Sequence, residues 1–199
     1  MGSQLKLRPF QQRIEAVART LVNHRSYKMN NLKTLIRDIP DFPKKGVIFK
    51  DITPLLKESE RFKEVIDEIS NRYLDKKIDV VVGIESRGFI IGSAIAYRLQ
   101  AGVVLIRKKG KLPWHTHQAT CELEYGTDTL EIHQDAIKPG EKVLIVDDLL
   151  ATGGTVCAAI NLVERLKGQI VGVAFLIELT FLKGREQIKD YPIFSLIKY

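Results

Sequence analysis

At 199 residues, with 45% hydrophobic and 28% charged side chains, the chain has the length and composition of a single globular domain with an ordinary core. No apolar run approaches the roughly 18 residues of a membrane span, and nothing in the composition suggests disorder or collagen-like repetition. The net charge of +7 fits a basic face for nucleic acid or a site for a polyanionic small molecule; the lysines and arginines are spread out except at Arg107, Lys108, Lys109 and Lys111, which favours a polyphosphate and no nucleic acid.

In chain order, Ile14, Val17, Ala18, Leu21 and Val22 have the spacing of an amphipathic helix over residues 11–23. Asn30 and Asn31 break it from a shorter helical stretch, Leu32 to Ile39. Pro40, Pro43 and Gly46 exclude regular structure over 40–46, and Val47, Ile48 and Phe49 read as extended. Ser59 is placed to cap a helix that carries Phe62, Val65, Ile66, Ile69 and Tyr73 on one face. The chain then alternates: strand Ile78–Gly83, helix Gly88–Leu99, strand Val103–Arg107, a loop over 108–121 and an extended excursion over 122–132. Strand Val143–Asp147, helix Thr155–Leu166 and strands Ile170–Glu178 and Ile193–Ile197 complete it. Such alternation predicts an α/β fold, a parallel sheet covered on both faces, with ligands beyond the carboxyl ends of its strands.

The segment Lys142–Val156, KVLIVDDLLATGGTV, is the most informative. An apolar run with the branching of a buried strand ends in two carboxylates, Asp147 and Asp148, and a Gly/Thr loop then opens a helix. In that loop a phosphate would meet backbone N–H groups, the hydroxyls of Thr152 and Thr155, and the positive end of the helix dipole. An ordinary strand–helix turn has the same glycines, but it does not explain the acidic pair, which needs partners at the end of a buried strand. Vicinal ribose hydroxyls are suitable partners, so the segment points to a ribose phosphate. Gly83 to Gly88 repeats the strand–loop–helix logic, with Arg87 adding a guanidinium fork.

Lys142–Val156 resembles the phosphoribosyl-pyrophosphate (PRPP) motif of type I phosphoribosyltransferases, with the acidic pair and Thr-Gly-Gly-Thr in register. Across residues 39–199 the chain is similar to the adenine-using branch of that family, in Ile39–Pro43 through Asp51–Leu56, Glu85–Phe89, Arg107–Pro113, Leu123–Gly126 and Leu179–Glu186. The resemblance implies the family's fold, a mostly parallel sheet flanked by helices, with a small hood at about residues 40–56 and a mobile loop at about 108–126. It implies transfer of the 5-phosphoribosyl group of PRPP to adenine, giving AMP and pyrophosphate, with Mg²⁺ held mainly through PRPP and no direct protein ligand for the metal.

It also implies roles for residues. Asp147 and Asp148 hold the ribose; Ala151, Thr152, Gly153, Gly154 and Thr155 hold its phosphate. Glu85, Ser86, Arg87, Arg107, Lys108 and Lys111 form the pyrophosphate site, with a non-proline cis peptide at Glu85–Ser86. Arg87 and Glu124 are the catalytic residues, although spacing alone does not separate Glu124 from Glu122. Ile48, Phe49 and Lys50 meet adenine, Phe49 by stacking. A homodimer is implied, part of the 107–111 segment reaching the neighbouring site, and residues 1–38 form a helical extension packed on the domain or at the dimer contact.

Two positions depart from the family pattern: Lys50 stands where Arg is usual, and Trp114-His115 replace Gly-Pro. His115 and His117 have the spacing of two metal ligands, but with no third ligand nearby they read as exposed loop histidines. Cys121 and Cys157 are too few for a disulfide framework and suit a reducing, cytoplasmic setting with no membrane partner. Two rivals remain: an enzyme for another purine or pyrimidine, and a PRPP-sensing regulator with a DNA-binding attachment. The second needs a complete DNA-binding domain, for which 38 residues are few.

Overall fold

The structure, a computed structural model, describes residues 32–123 and 126–199. The helix expected over 11–23 and the structure of Glu124 lie outside the described residues. The chain divides into two compact units, one ending at Arg61 and one running from Phe62 to Tyr199.

In the first unit Leu32 and Lys33 are helical, but the helix does not continue to Ile39 as the sequence suggests. Residues Arg37–Pro40 form strand β1, antiparallel to β2 (Ile48–Asp51), with Asp38 opposite Lys50 and Ile39 opposite Phe49. Pro40 biases the residue before it toward extended backbone, and charge pairs cross the ladder: Lys50 Nζ lies 2.6 Å from Asp38 Oδ1 and Arg37 Nη1 3.7 Å from Asp51 Oδ2. The β1–β2 turn is closed by Asp41, whose carboxylate accepts the Gly46 N–H at 2.6 Å. Helix α1 (Thr53–Lys57) follows, not foreseen from the sequence; Pro54 lies in its first turn, and the buried Asp51 carboxylate accepts both the N–H and the hydroxyl of Thr53 at 2.9 Å. Helix α2 (Ser59–Ser70), which passes into the second unit at Phe62, starts at the expected serine and buries Val65, Ile66 and Ile69 there, the face read from the sequence.

The second unit is built on a seven-stranded sheet. Its elements in chain order are β3 (Val80–Ile84), α3 (Arg87–Leu99), β4 (Gly102–Lys108), β5 (Thr116–Leu123), β6 (Gly126–His133), β7 (Lys142–Leu150), α4 (Gly154–Arg165), β8 (Gln169–Glu178) and β9 (Ile193–Lys198). The spatial order is β5-β6-β4-β3-β7-β8-β9, parallel from β4 to β9, with the β5–β6 hairpin antiparallel at one edge. All five residues of β3 are buried, as a strand covered on both faces requires. Val80, Val82 and Ile84 join the core formed with Val156, Ala159 and Val163 of α4. Val81 points the other way, toward Gly92 of α3. The expected two-faced, mostly parallel sheet is what forms.

One expectation changes. Residues 108–121 are not all loop: β5 begins at Thr116 and pairs with β6 from Thr116–His133 to Leu123–Gly126. Its sequence, Thr-His-Gln-Ala-Thr, lacks apolar alternation; the strand is specified by its backbone partner more than by a buried face. The hairpin joins the parallel strands through two residue pairs, Arg107–Glu131 and Lys108–Leu130.

Candidate active site

Strand β7 runs further than the sequence suggests, to Leu150, so Asp147 and Asp148 lie within it and not at its end. Gly153 follows at φ +97°, a conformation that favours glycine, and caps α4 without a side chain. Ala151, Thr152, Gly154 and Thr155 are half-buried around it, and no side chain caps the first-turn N–H groups of α4.

Asp147 and Asp148 retain 9% and 5% of their accessible surface, so desolvation decides their chemistry. Burial first, then the charge of Asp148, pushes the Asp147 carboxyl well above the usual carboxylate range. Burial also raises Asp148, and the Arg87 guanidinium opposes that rise. Asp147 Oδ1 accepts the backbone N–H of Asp148 at 2.9 Å. The pair is costly as it stands, and hydroxyl donors would relieve it.

The loop after β3 comes to the same place. The Glu85–Ser86 peptide is cis, as the resemblance implied, and Ser86 caps α3. Arg87 Nη2 reaches Asp148 Oδ2 at 2.8 Å. Gly88 makes that approach possible: a Cβ there would lie 2.8 Å from Asp147 Oδ1 and 2.9 Å from the Val146 carbonyl oxygen. The first turn of α3 and strand β7 are thus in direct contact.

Glu85, whose side chain is 8% exposed, gathers the basic residues of β4 and the turn after it. It accepts from Lys111 Nζ at 2.5 Å, the Lys108 N–H at 3.0 Å and Arg107 Nε at 3.3 Å. Burial pushes the Glu85 carboxyl up, but these bonds and the two cations outweigh it and hold the carboxyl below its ordinary range. Lys108 Nζ turns elsewhere, to Asp128 Oδ2 at 2.9 Å.

Beneath that turn lies a residue the sequence did not mark. Glu131, 2% exposed in β6, accepts the N–H groups of Lys111 and Leu112 at 3.0 Å and the Thr116 hydroxyl at 3.3 Å. It ties together both ends of the turn that carries Lys111. Its only signal was a carboxylate between Leu130 and Ile132 in an extended segment. Trp114 and His115, the departures from the family pattern, stack edge to face on each other at 5.0 Å.

Ile48, Phe49 and Lys50 lie in the first unit, on β2. Phe49 is half-buried, with the Phe42 ring edge-on to it at 5.2 Å, and Ile48 is exposed. The Lys50 ammonium, where the family usually has Arg, meets Asp38 across the β1–β2 ladder. Glu124 lies outside the described residues, so its distance from the other groups does not enter this geometry.

Among the described residues no group of three or more His, Cys, Asp and Glu side chains is arranged to hold a metal ion. The carboxylates at the site fit a cation that arrives on a polyphosphate, with Asp147 and Asp148 bounding it, better than a closed protein cage. Nor is any helix among the described residues long and apolar enough to cross a membrane.

Comparison with known proteins gives the same picture. The phosphoribosyl transferase domain family matches residues 52–198. An adenine phosphoribosyltransferase of Trichlorobacter lovleyi is 60% identical over 171 residues, 86% of this chain and the whole of that protein. The crystal structure of an adenine phosphoribosyltransferase from Rhodothermus marinus is 50% identical, with a TM-score of 0.84 over 87% of this chain and 99% of its own. The Saccharomyces cerevisiae adenine phosphoribosyltransferase, solved with an imino-altritol bisphosphate and adenine, is 40% identical with a TM-score of 0.81, covering 86% and 99% of the two chains.

Proposed function

The chain belongs to the type I phosphoribosyltransferase family, in its adenine-using branch, and from that premise we propose how its residues convert adenine and PRPP to AMP and pyrophosphate. The observation that supports the residue assignment is the contact of Arg87 and Gly88, in the first turn of α3, with Asp147 and Asp148 of β7.

Ala151 to Thr155 bind the 5-phosphate through backbone N–H groups and the Thr152 and Thr155 hydroxyls. Asp147 and Asp148 accept from the ribose hydroxyls. As the C1–O bond breaks, positive charge grows on the sugar ring, and the adjacent carboxylates stabilise it in a site of low dielectric. At the other end, the backbone of Glu85 and Ser86, with Arg87, Arg107, Lys108 and Lys111, takes the growing negative charge of the pyrophosphate. Glu85 serves there by holding Arg107 and Lys111 in place, since its own carboxylate would repel the leaving group. Mg²⁺ would arrive on PRPP, held through the substrate's own oxygens, and would supply further neutralisation of the pyrophosphate charge.

Adenine stacks on Phe49 and is read by backbone groups near Ile48 and Lys50. With the Lys50 ammonium engaged by Asp38, the lysine contributes its backbone and not its charge. Glu124, between β5 and β6 in the sequence, manages the proton at the purine or stabilises the ribose, and closure of the 108–126 segment over the site excludes water from the cationic sugar.

The working form is a homodimer in the cytoplasm. Ile90 and Tyr97 on α3, seven residues apart, and Val103 and Leu105 on β4, two apart, expose apolar side chains that support a subunit contact.

The test is pyrophosphate release with PRPP, Mg²⁺ and one base at a time: adenine, hypoxanthine, guanine, xanthine or orotate. Adenine alone should turn over well. Turnover with hypoxanthine but not adenine would overturn the base assignment and leave the reaction class standing. PRPP binding without turnover of any base would point to the regulator.

A further inference from the structure

We propose that Arg185 and Glu178, outside every assigned contact, are positioning residues that set the shape of the 151–155 loop and so the grip on the 5-phosphate. This rests on reading that loop as the phosphate site.

The loop does not hold its own shape. Ala151, Thr152 and Gly153 supply little packing, and no side chain caps α4. What stands behind it is a 3-10 turn, Gly184–Ile188, pressed backbone to backbone against it. A Cβ on Gly184 would collide with the Ala151 carbonyl oxygen and lie 3.0 Å from the Gly153 nitrogen. Conversely, a Cβ on Gly153 would lie 2.8 Å from the Gly184 carbonyl oxygen and 3.1 Å from Gln187 Cβ. Any shift of this turn therefore moves the loop.

Arg185 fixes the turn. Its Nε and Nη2 form a fork on the Glu178 carboxylate, at 2.9 and 2.6 Å. Nη1 reaches the Ile193 carbonyl oxygen at 3.2 Å and Nη2 the Ser195 hydroxyl at 3.3 Å. Glu178, 4% exposed, ends β8 directly beside Leu150, the last residue of β7 before the loop, and the Leu179 N–H donates to the Leu150 carbonyl at 2.9 Å. One guanidinium thus joins β8, β9 and the turn behind the loop. Hydrogen bonds from Arg185 hold the Glu178 carboxyl below its ordinary range, so the fork is ionised at neutral pH. Lysine cannot reproduce it, because the acceptors are met by three separate nitrogens of one plane. A phosphate cradle loses much of its grip when its N–H groups move by about half an ångström.

Ligands for the two ends of the site separate this role from general stabilisation. AMP and ribose 5-phosphate carry the 5-phosphate; Mg-pyrophosphate does not. In calorimetry, Arg185→Met should weaken AMP and ribose 5-phosphate on the order of tenfold and leave Mg-pyrophosphate within about twofold. Arg185→Lys, which keeps the charge and protects folding, should fall between wild type and Arg185→Met for AMP alone, and it carries the test if Arg185→Met does not fold. Parallel weakening of AMP and pyrophosphate, or unchanged AMP binding, overturns the proposal. Thr155→Val, in the loop itself, is the control. If it weakens AMP while the Arg185 variants do not, the positioning role fails and the phosphate site stands; if Thr155→Val leaves AMP binding intact, the phosphate site reading fails.

Discussion

Arg87 Nη2 stands 2.8 Å from Asp148 Oδ2, so the guanidinium at the start of α3 is the counter-charge of a carboxylate buried on β7. The Asp148 carboxyl is raised by burial and drawn back down chiefly by Arg87. Arg87→Gln leaves that carboxylate buried beside Asp147 with no cation. The expected loss of stability is at the lower end of roughly 3–5 kcal/mol at pH 7, because Arg87 is partly solvated. Asp148 then titrates from a still higher value, so the loss should shrink as the pH falls and the carboxyl becomes neutral. Urea unfolding at pH 7 and pH 5 measures both; an equal loss at the two would refute the electrostatic account.

Asp147→Asn should stabilise the protein while crippling it. The Asp147 carboxyl is raised in the folded state by burial and then by Asp148. A carboxyl with a raised folded value contributes favourably below its unfolded pKa of about 3.9 and loses that contribution as the pH rises through the folded value. At neutral pH it is a net cost, which asparagine removes while its carbonyl still accepts the Asp148 N–H. Thermal denaturation at pH 7 should show a Tm gain of a few degrees, vanishing near pH 4. With PRPP, kcat/KM should fall on the order of 100-fold, because a ribose partner is weakened.

Glu131→Ala removes the acceptor shared by Lys111, Leu112 and Thr116. Stability should fall by about 1–3 kcal/mol, the cost of leaving such donors without a partner. The KM for PRPP should rise several-fold because Lys111 loses its backbone anchor, while the KM for adenine holds. Steady-state kinetics with each substrate varied in turn decides it; a change in the adenine KM alone would place Glu131 elsewhere in function.

Glu124→Ala should lower turnover on the order of 100-fold or more, with little change in PRPP affinity. Single-turnover rates beside PRPP binding give the comparison. Undiminished turnover removes Glu124 from the mechanism.

The parallel strands were legible because each is an apolar run bounded by turn residues, and the turns after β3 and β7 because glycines follow those runs, although Asp147 and Asp148 lie inside β7 and not at its end. Residues 34–40 misled because local propensity competed with partners absent from the local sequence: Phe49 and Lys50 lie opposite Ile39 and Asp38 and draw the segment into a strand. Thr116 to Thr120 were hidden for a similar reason, as a polar strand declared by β6. Glu131 and the Arg185–Glu178 fork could not be read, because their meaning depends on which backbone and hydroxyl groups arrive from 15 to 20 residues away, or from β9. The sequence names groups that face a ligand more readily than groups that face other protein.

Glu85 has a consequence for the cell's abundant small anions. Its carboxylate occupies Arg107 and Lys111, and as part of the chain it forfeits no translational freedom in doing so. Chloride, or a single phosphate, must displace this tethered competitor and offers little charge in return. A metal-bearing diphosphate offers several oxygens at once and can share the cations with Glu85. If this corner takes pyrophosphate as proposed, the carboxylate would act as a threshold that favours such a ligand over simpler anions.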